Sequence, residues 1–415
     1  MDAALLLTIR LLLAPADTTI SLPPIAAVTD SCEAAKDPTA AAVCLNRRAL
    51  DREQHGDYAS ASRTLEEAAQ LWTRDPRPST ALHATILSNL GDTYEQLGRW
   101  REARESFMQS LAENESAFGR SDVHAAFSMV RVATVEIVLG NPARADQLLN
   151  TALPIERRAM PGSALEFSGA LTIASMFELQ RGNIAEAAKL AQEGVAAAGS
   201  RSEDTVEYAA NLTNLAGVYI VEHDTARATP LLNRSVDILE RRLGPEHPRL
   251  TPVLMDRAMI YQGEGKSALA EADATRAVAI LAHESGPDNI NTAWARLRLA
   301  SIYLDEGKLS EAEGILPGVV ERHRRFYDHP NWRLAASVAE LARLRTAQSR
   351  SGEADSLYRE SLAIFEAAAP NNPEFARAMR GYADLLRAEG GPKREIRKLM
   401  AKARAISSET EPLSR

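Results

Sequence analysis

Two cysteines in 415 residues, Cys32 and Cys44, are too few for a zinc framework or a disulfide-stapled scaffold. Aromatic residues make up only 5% of the chain, and long stretches lack β-branched runs, which points away from sheet and toward helix. No apolar run reaches the roughly 20 residues that a membrane-crossing helix needs, so no stable membrane insertion of the mature chain is expected. Acidic and basic residues are interspersed, the net charge is -8, and the absence of a basic stripe argues against nucleic acid as a partner.

Signatures of catalysis are missing as well. There is no Gly-x-x-x-x-Gly-Lys-Ser/Thr phosphate loop, and "GGPK" at residues 390–393 follows no strand. The eight histidines form no His-x-x-x-His or Glu-x-x-His pair on one helix face. Serine, histidine and aspartate occur without the surroundings of a nucleophilic site. The chain is therefore expected to be no enzyme and to need no metal or cofactor.

The N-terminus carries a leader-like stretch, "ALLLTIRLLLAPAD", with a small-x-small site at Ala14-Pro15-Ala16 that suits cleavage before Asp17. Asp2 and Arg10 stand against that reading. Both cysteines follow the stretch and none occurs after Cys44. In an exported chain the pair could tie the N-terminal segment to the first helix, whereas a cytoplasmic chain would bury two thiols. Export, to a periplasm for instance, is the favoured expectation.

What the chain does have is a period. In "NLGDTYEQLGRWREARESFMQSL", residues 89–111, a turn glycine, Gly98, precedes Ala103 by five residues. The same turn-then-alanine pattern recurs at Gly56 and Ala61, Gly140 and Ala145, Gly182 and Ala187, and His223 and Ala228. It continues at Gly265 and Ala270, Gly307 and Ala312, and Ser349 and Ala354, with a degraded copy at Gly391. The steps are 42, 42, 42, 41, 42, 42, 42 and 42. Before each turn a large, a small and an aromatic residue share one helical face, as in Leu90, Gly91 and Tyr94. Each period therefore reads as two helices, and one such hairpin cannot bury its apolar face without neighbours.

The Leu-Gly-x-x-Tyr, turn-Gly, Ala and Phe pattern of residues 90–107 resembles the tetratricopeptide repeat. The long period and the Gly-x-x-His-Pro connector resemble the branch known from kinesin light chains and many bacterial proteins. The resemblance implies an all-α, right-handed superhelical solenoid of about nine hairpins over residues 42–405. A leader or flexible stretch over residues 1–25, cleavable after residue 16, a capping segment at 26–41 and a disordered tail at 406–415 complete the expected organisation. The terminal helix "PKREIRKLMAKARAI" is basic and amphipathic, as a solvated end cap would be.

One short stretch could be mistaken for chemistry. In "LGPEHP" Glu246 and His247 sit side by side after Gly244. Sister connectors read "FGRSDV", "SGPDNI", "YDHPNW" and "PNNPEF", so the pair is not kept while the turn is. The reading is a left-handed helix stop at Gly244, as at Gly119, Gly162 and Gly286, with Pro248 in the first turn of the next helix and Glu246 accepting from its free N–H groups. The sequons at Asn114, Asn211 and Asn233 fall in expected helices and read as accidental.

Helical periodicity and the resemblance together imply that residues 13, 10, 9, 6 and 3 before each turn line a concave groove. These include Thr85, Ser88, Asn89, Asp92 and Glu95, then Phe127, Val130, Arg131, Thr134 and Ile137. Further along they include Met176, Leu179, Thr213, Asn214, Ile220, Met255 and Met259, then Trp294, Leu297, Arg298 and Leu304. An apolar groove flanked by Arg131 and Arg298 would suit an amphipathic or extended peptide carrying acidic residues. Burial of these side chains against the next repeat is the alternative. Of the groove asparagines that kinesin light chains use, only Asn89 and Asn214 match, so that cargo preference is not implied. The expected function is a non-enzymatic scaffold that binds a protein or peptide; the alternative is the sensor or adaptor module of a bacterial signalling system whose output domain is a separate chain.

Overall fold

Helices follow one another without interruption in a computed structural model of the chain, which describes residues 32, 37–54, 57–72, 80–200, 202–327 and 330–410. The leader-like residues, the first turn position Gly56, His329 and residues 411–415 lie outside the described residues. Among the described residues eighteen helices pair into nine hairpins. They are α1 Pro38–Gln54, α2 Tyr58–Trp72, α3 Thr80–Gln96, α4 Trp100–Phe118, α5 Val123–Val138 and α6 Pro142–Arg158. Next come α7 Ala164–Gln180, α8 Ile184–Gly199, α9 Val206–Val221, α10 Thr225–Leu243, α11 Leu250–Gly263 and α12 Ser267–Ser285. The last are α13 Ile290–Asp305, α14 Leu309–Phe326, α15 Trp332–Ala347, α16 Ser351–Ala368, α17 Pro373–Ala388 and α18 Lys393–Thr410. Helix α1 thus begins inside the expected capping segment, and α18 runs into the stretch expected to be tail.

The chain divides within α9 into two compact halves, one ending at Val218 and one starting at Tyr219. Inside each half a first helix packs on its own second helix, and that second helix packs on the first helix of the next hairpin.

The turn inside each hairpin explains the period. Gly98 takes a φ of 75°, Arg99 N–H donates to the Tyr94 carbonyl at 2.8 Å, and Gly98 N–H donates to the Glu95 carbonyl at 3.0 Å. This is the Schellman stop, which needs one left-handed residue. The same six-residue bond recurs from Asn141 to Glu136, Asn183 to Glu178, Lys266 to Tyr261 and Lys308 to Tyr303. In the last copy the left-handed residue is Gly390, not Gly391, so the final step is one residue shorter than the sequence register suggests. Two turns use a residue with a Cβ: His223 has φ 58° and Ser349 φ 60°. Replacing either by glycine should raise the midpoint of chemical denaturation, by about 1 kcal/mol each, since that strain is removed. An unchanged or lowered midpoint would mean their side chains repay the strain.

Each alanine five residues after a turn, from Ala61 to Ala354, has no exposed surface at all. A side chain with no exposed surface in a close-packed interior must displace its neighbours to grow, which accounts for the recurrent alanine. At Gly91 an added Cβ would lie 2.5 Å from Cε1 of Phe107, which accounts for the small residue expected at that position.

Connectors between hairpins depart from expectation in their detail. Gly119, Gly244 and Gly286 have φ of 93°, 92° and 85° with ψ of 157°, 163° and 156°. This is the extended glycine-only region, not the left-handed helical one. Gly162 has no positive φ. Pro248 precedes the N-cap residue Arg249 and lies outside α11. The group that meets the free backbone is His247, whose Nδ1 accepts from Arg249 N–H at 3.1 Å. Asp122, Asn289, Asn331 and Asn372 accept from the N–H two residues on in the same way, at 2.8–2.9 Å. His247 therefore replaces a capping Asp or Asn. Burial, then the charge of Arg249, lowers its pKa, which suits an unprotonated acceptor.

Cys32 and Cys44 are joined by a disulfide with a Cα–Cα distance of 5.6 Å across 12 residues. Cys32 is buried in the core with Ala42, Val43 and Leu45, so the link fixes Cys32 to α1. Breaking it by Cys32→Ser or by reductant should cost about 3 kcal/mol by loop-closure entropy. Denaturation of the full chain with and without reductant reads this directly; coincident curves would show that the bond constrains nothing.

Candidate functional site

The first helices face one another across successive hairpins, and their polar side chains pair across that spacing. In the N-terminal half Asn89 Nδ2 donates to Asn46 Oδ1 at 2.9 Å, and the Thr93 hydroxyl donates to the Glu53 carboxylate. Arg131 pairs with Asp92 and lies 4.0 Å from Glu95. Its guanidinium also lies 5.1 Å from the centre of the Phe107 ring, and burial pulls its pKa down to about 10. Burial pushes Glu53 up to about 7, with the Thr93 bond opposing. In the C-terminal half Arg298 meets Glu374 at 3.3 Å, Arg377 bonds Ser301 at 2.8 Å and Glu340, and Arg343 pairs with Glu340 and Asp305. Asp256, near Arg298, is pushed up to about 7 because burial outweighs that charge.

This ladder uses several residues expected to contact a partner. Arg131 is buried and Arg298 is ion-paired, so neither cation expected to flank the groove is free for an acidic ligand. Val130, Met176, Thr213, Asn214, Trp294 and Leu297 are buried. Trp294 packs edge-on against Trp332 at 5.1 Å, with Arg333 over both rings. The reason is geometric: a first helix is covered by its own second helix, by the preceding one and by first helices on either side. Only a narrow arc stays open. Thr85, Asn89, Asp92, Phe127 and Met255 are partly accessible, and Met259 is 38% exposed.

Three of the accessible residues meet at one place. A cavity of about 470 Å³ is walled by Ala84, Thr85, Ser88 and Asn89 of α3, Ser110 and Asn114 of α4, and Val123, His124, Phe127 and Ser128 of α5. Ala159, Gly162, Ser163 and Glu166 close it from the end of α6 and the start of α7. Its polar groups are held in place. Ser110 Oγ donates to the Ala84 carbonyl at 2.8 Å, and Thr85 Oγ1 to the Ala81 carbonyl at 3.0 Å. Asn114 Nδ2 donates to Ser128 Oγ at 2.9 Å and to the His124 carbonyl at 3.5 Å. His124 Nδ1 lies 2.7 Å from Asp122 Oδ1, and the His124 ring stacks on Phe118 at 4.3 Å. Ser163 Oγ, in the wall itself, donates to the Glu156 carbonyl at 3.2 Å. The Glu156 carboxyl itself is fully buried and neither of its oxygens has a hydrogen-bond partner.

Sequence reasoning missed Asn114, His124 and Glu166. His124 and Glu166 both lie 16 residues before their turn positions. That is one helical step beyond the selected series on the same face, so the period contained the signal. Asn114 reads in sequence as an accidental sequon, and nothing local marks it.

Residues 40–112, 207–281 and 250–316 match the tetratricopeptide repeat family. The hairpins within these residues are tetratricopeptide repeats. Among curated proteins nothing matches the sequence. The structure is similar to a Signal Transduction ATPase with Numerous Domains protein with a tetratricopeptide repeat sensor from Pyrococcus horikoshii, at 12% identity and TM-score 0.58 over 91% of this chain and 53% of that one. It is similar to the apo quorum sensor NprR from B. thuringiensis, at 13% identity and TM-score 0.57 over 80% and 90% of the two chains. Tetratricopeptide-like repeats from a Podosopora anserina chain described as a kinesin light chain match at 27% identity and TM-score 0.37, over 48% of this chain and 94% of that one. The likeness to the first two, at 12% and 13% identity, is one of fold. Tetratricopeptide repeats are protein-interaction modules, and among the described residues no three His, Cys, Asp or Glu side chains gather as a metal site. No helix among the described residues is long and apolar enough to cross a membrane.

Proposed function

We propose that this chain is a non-enzymatic scaffold whose tetratricopeptide repeats hold a peptide segment of a protein partner along the open arc of the first helices. The cavity between α3, α5 and α7 carries the reading, because it joins side chains of three successive hairpins into one partly apolar, polar-rimmed depression of ligand-binding size. Affinity capture with the wild-type chain and with Phe127→Glu and Met259→Glu variants tests it. Partners lost with Phe127→Glu support binding at the cavity, and partners lost only with Met259→Glu move the site to the C-terminal half. Retention of every partner by both variants would reject the groove. Trp294→Ala is unsuited to this purpose, since a buried ring reports on stability.

A sensor or adaptor role in a signalling system with its output on another chain is the second reading, supported by the fold shared with two sensor proteins. It requires capture of a kinase or transcription factor that changes when a ligand is added. Export belongs to the proposal too, supported by the Cys32–Cys44 disulfide. Equal cytoplasmic signal from fusions with and without residues 1–16 would reject it.

A further inference from the structure

The cavity has an imbalance of hydrogen-bonding groups. Thr85, Ser110, Asn114 and Ser163 each donate to an acceptor of the protein itself. The Asn114 amide is oriented by the His124 carbonyl, which can only accept, so its Nδ2 is turned to the protein and its Oδ1 remains as an acceptor. Glu166 adds a carboxylate at the rim, and no Lys or Arg lines the cavity. The Phe127 ring supplies the apolar wall. The Ser88 and Ser128 hydroxyls also line the cavity and can donate, but its one charged group is a carboxylate and no cationic donor faces it, so it disfavours carboxylates and favours a ligand that brings donors and positive charge.

We propose that this cavity selects a lysine side chain of the bound peptide, with the aliphatic stem against Phe127 and the ammonium between Glu166 and the Asn114 oxygen. The inference rests on the groove-binding reading and adds a residue preference to it. It reverses the expectation of an acidic peptide, because the two arginines that suggested one are committed elsewhere. Three donors on an ammonium match three kinds of acceptor here: a carboxylate, an amide oxygen and hydroxyl lone pairs.

The test titrates the full chain with N-acetyl-lysine N-methylamide and with its norleucine and glutamate counterparts, followed by ligand-observed NMR. Norleucine keeps the four-carbon stem and lacks the ammonium. The expected result is saturable binding of the lysine amide, at least about tenfold weaker binding of norleucine, and a similar loss for lysine in Glu166→Gln, as the removal of a charged hydrogen bond predicts. Far-ultraviolet circular dichroism and melting of Glu166→Gln confirm that its fold is intact. Equal binding of lysine and norleucine, preference for glutamate, no detectable lysine binding, or indifference to Glu166→Gln would each overturn the proposal. If these occur while capture still depends on Phe127, the scaffold reading stands and only the lysine preference falls.

Discussion

Phe107→Ala is expected to destabilise the N-terminal half by about 3–5 kcal/mol, the range for truncating a buried phenylalanine. The ring is 1% exposed. It fills the crossing between α3 and α4 opposite Gly91, and Arg131 stacks over it. Its loss opens a cavity and also leaves the Arg131–Asp92 pair without its apolar support. Gly91→Ala alone should cost about 1–3 kcal/mol, because its methyl would press on a ring that close packing cannot shift. In the double variant the methyl enters the space the ring vacated, and alanine is the better helix former. The double variant should therefore be more stable than the sum of the singles, by more than about 1 kcal/mol. Additive effects in a chemical-denaturation cycle would show that the close contact at Gly91 is not what sets the hairpin crossing.

Raising the pH from 5 to 8.5 is expected to weaken the fold through Glu156. Burial, and then the charge of Glu166, pushes this carboxyl up to about 8 from the usual 4.5. A folded-state pKa above the unfolded one means that the folded chain holds a proton the unfolded chain has released. The associated stability is full below about pH 4.5 and is lost as pH climbs through 8, on the order of 5 kcal/mol in all. Glu156→Gln removes the titrating group, so its denaturation midpoint should lose this slope and exceed that of the wild type at pH 8.5. Parallel pH profiles for the two proteins would sink the assignment. His323 acts with the other sign: burial, then the Arg333 charge, holds it down to about 4, so its contribution falls away below pH 6.5 and leaves the alkaline window to the carboxyls.

The local architecture was legible because its causes are local. A left-handed residue, an alanine five positions later and a small-aromatic pair before the turn each answer to backbone dihedrals or to one helix crossing, and they survive in sequence at positions such as Gly98, Ala103 and Gly91. The disulfide pairing was likewise open to reading, since only two cysteines exist. Connector detail was less legible. His247 looked like half of a chemical pair, but comparison with Asp122, Asn289, Asn331 and Asn372 reveals a capping acceptor, a role that an oxygen or an imidazole nitrogen fills equally well.

The sequence by itself determined the repeat, the helix boundaries near each turn and the helical face to which a side chain belongs. Only the tertiary structure decided how much of that face stays open. Exposure at Phe127 or Trp294 depends on residues about 40 positions away, and charge depends on equally distant or farther ones: Arg131 pairs with Asp92, one repeat away, and Arg298 with Glu374, 76 positions on. A helix period records direction about one axis. It does not record which neighbour arrives there.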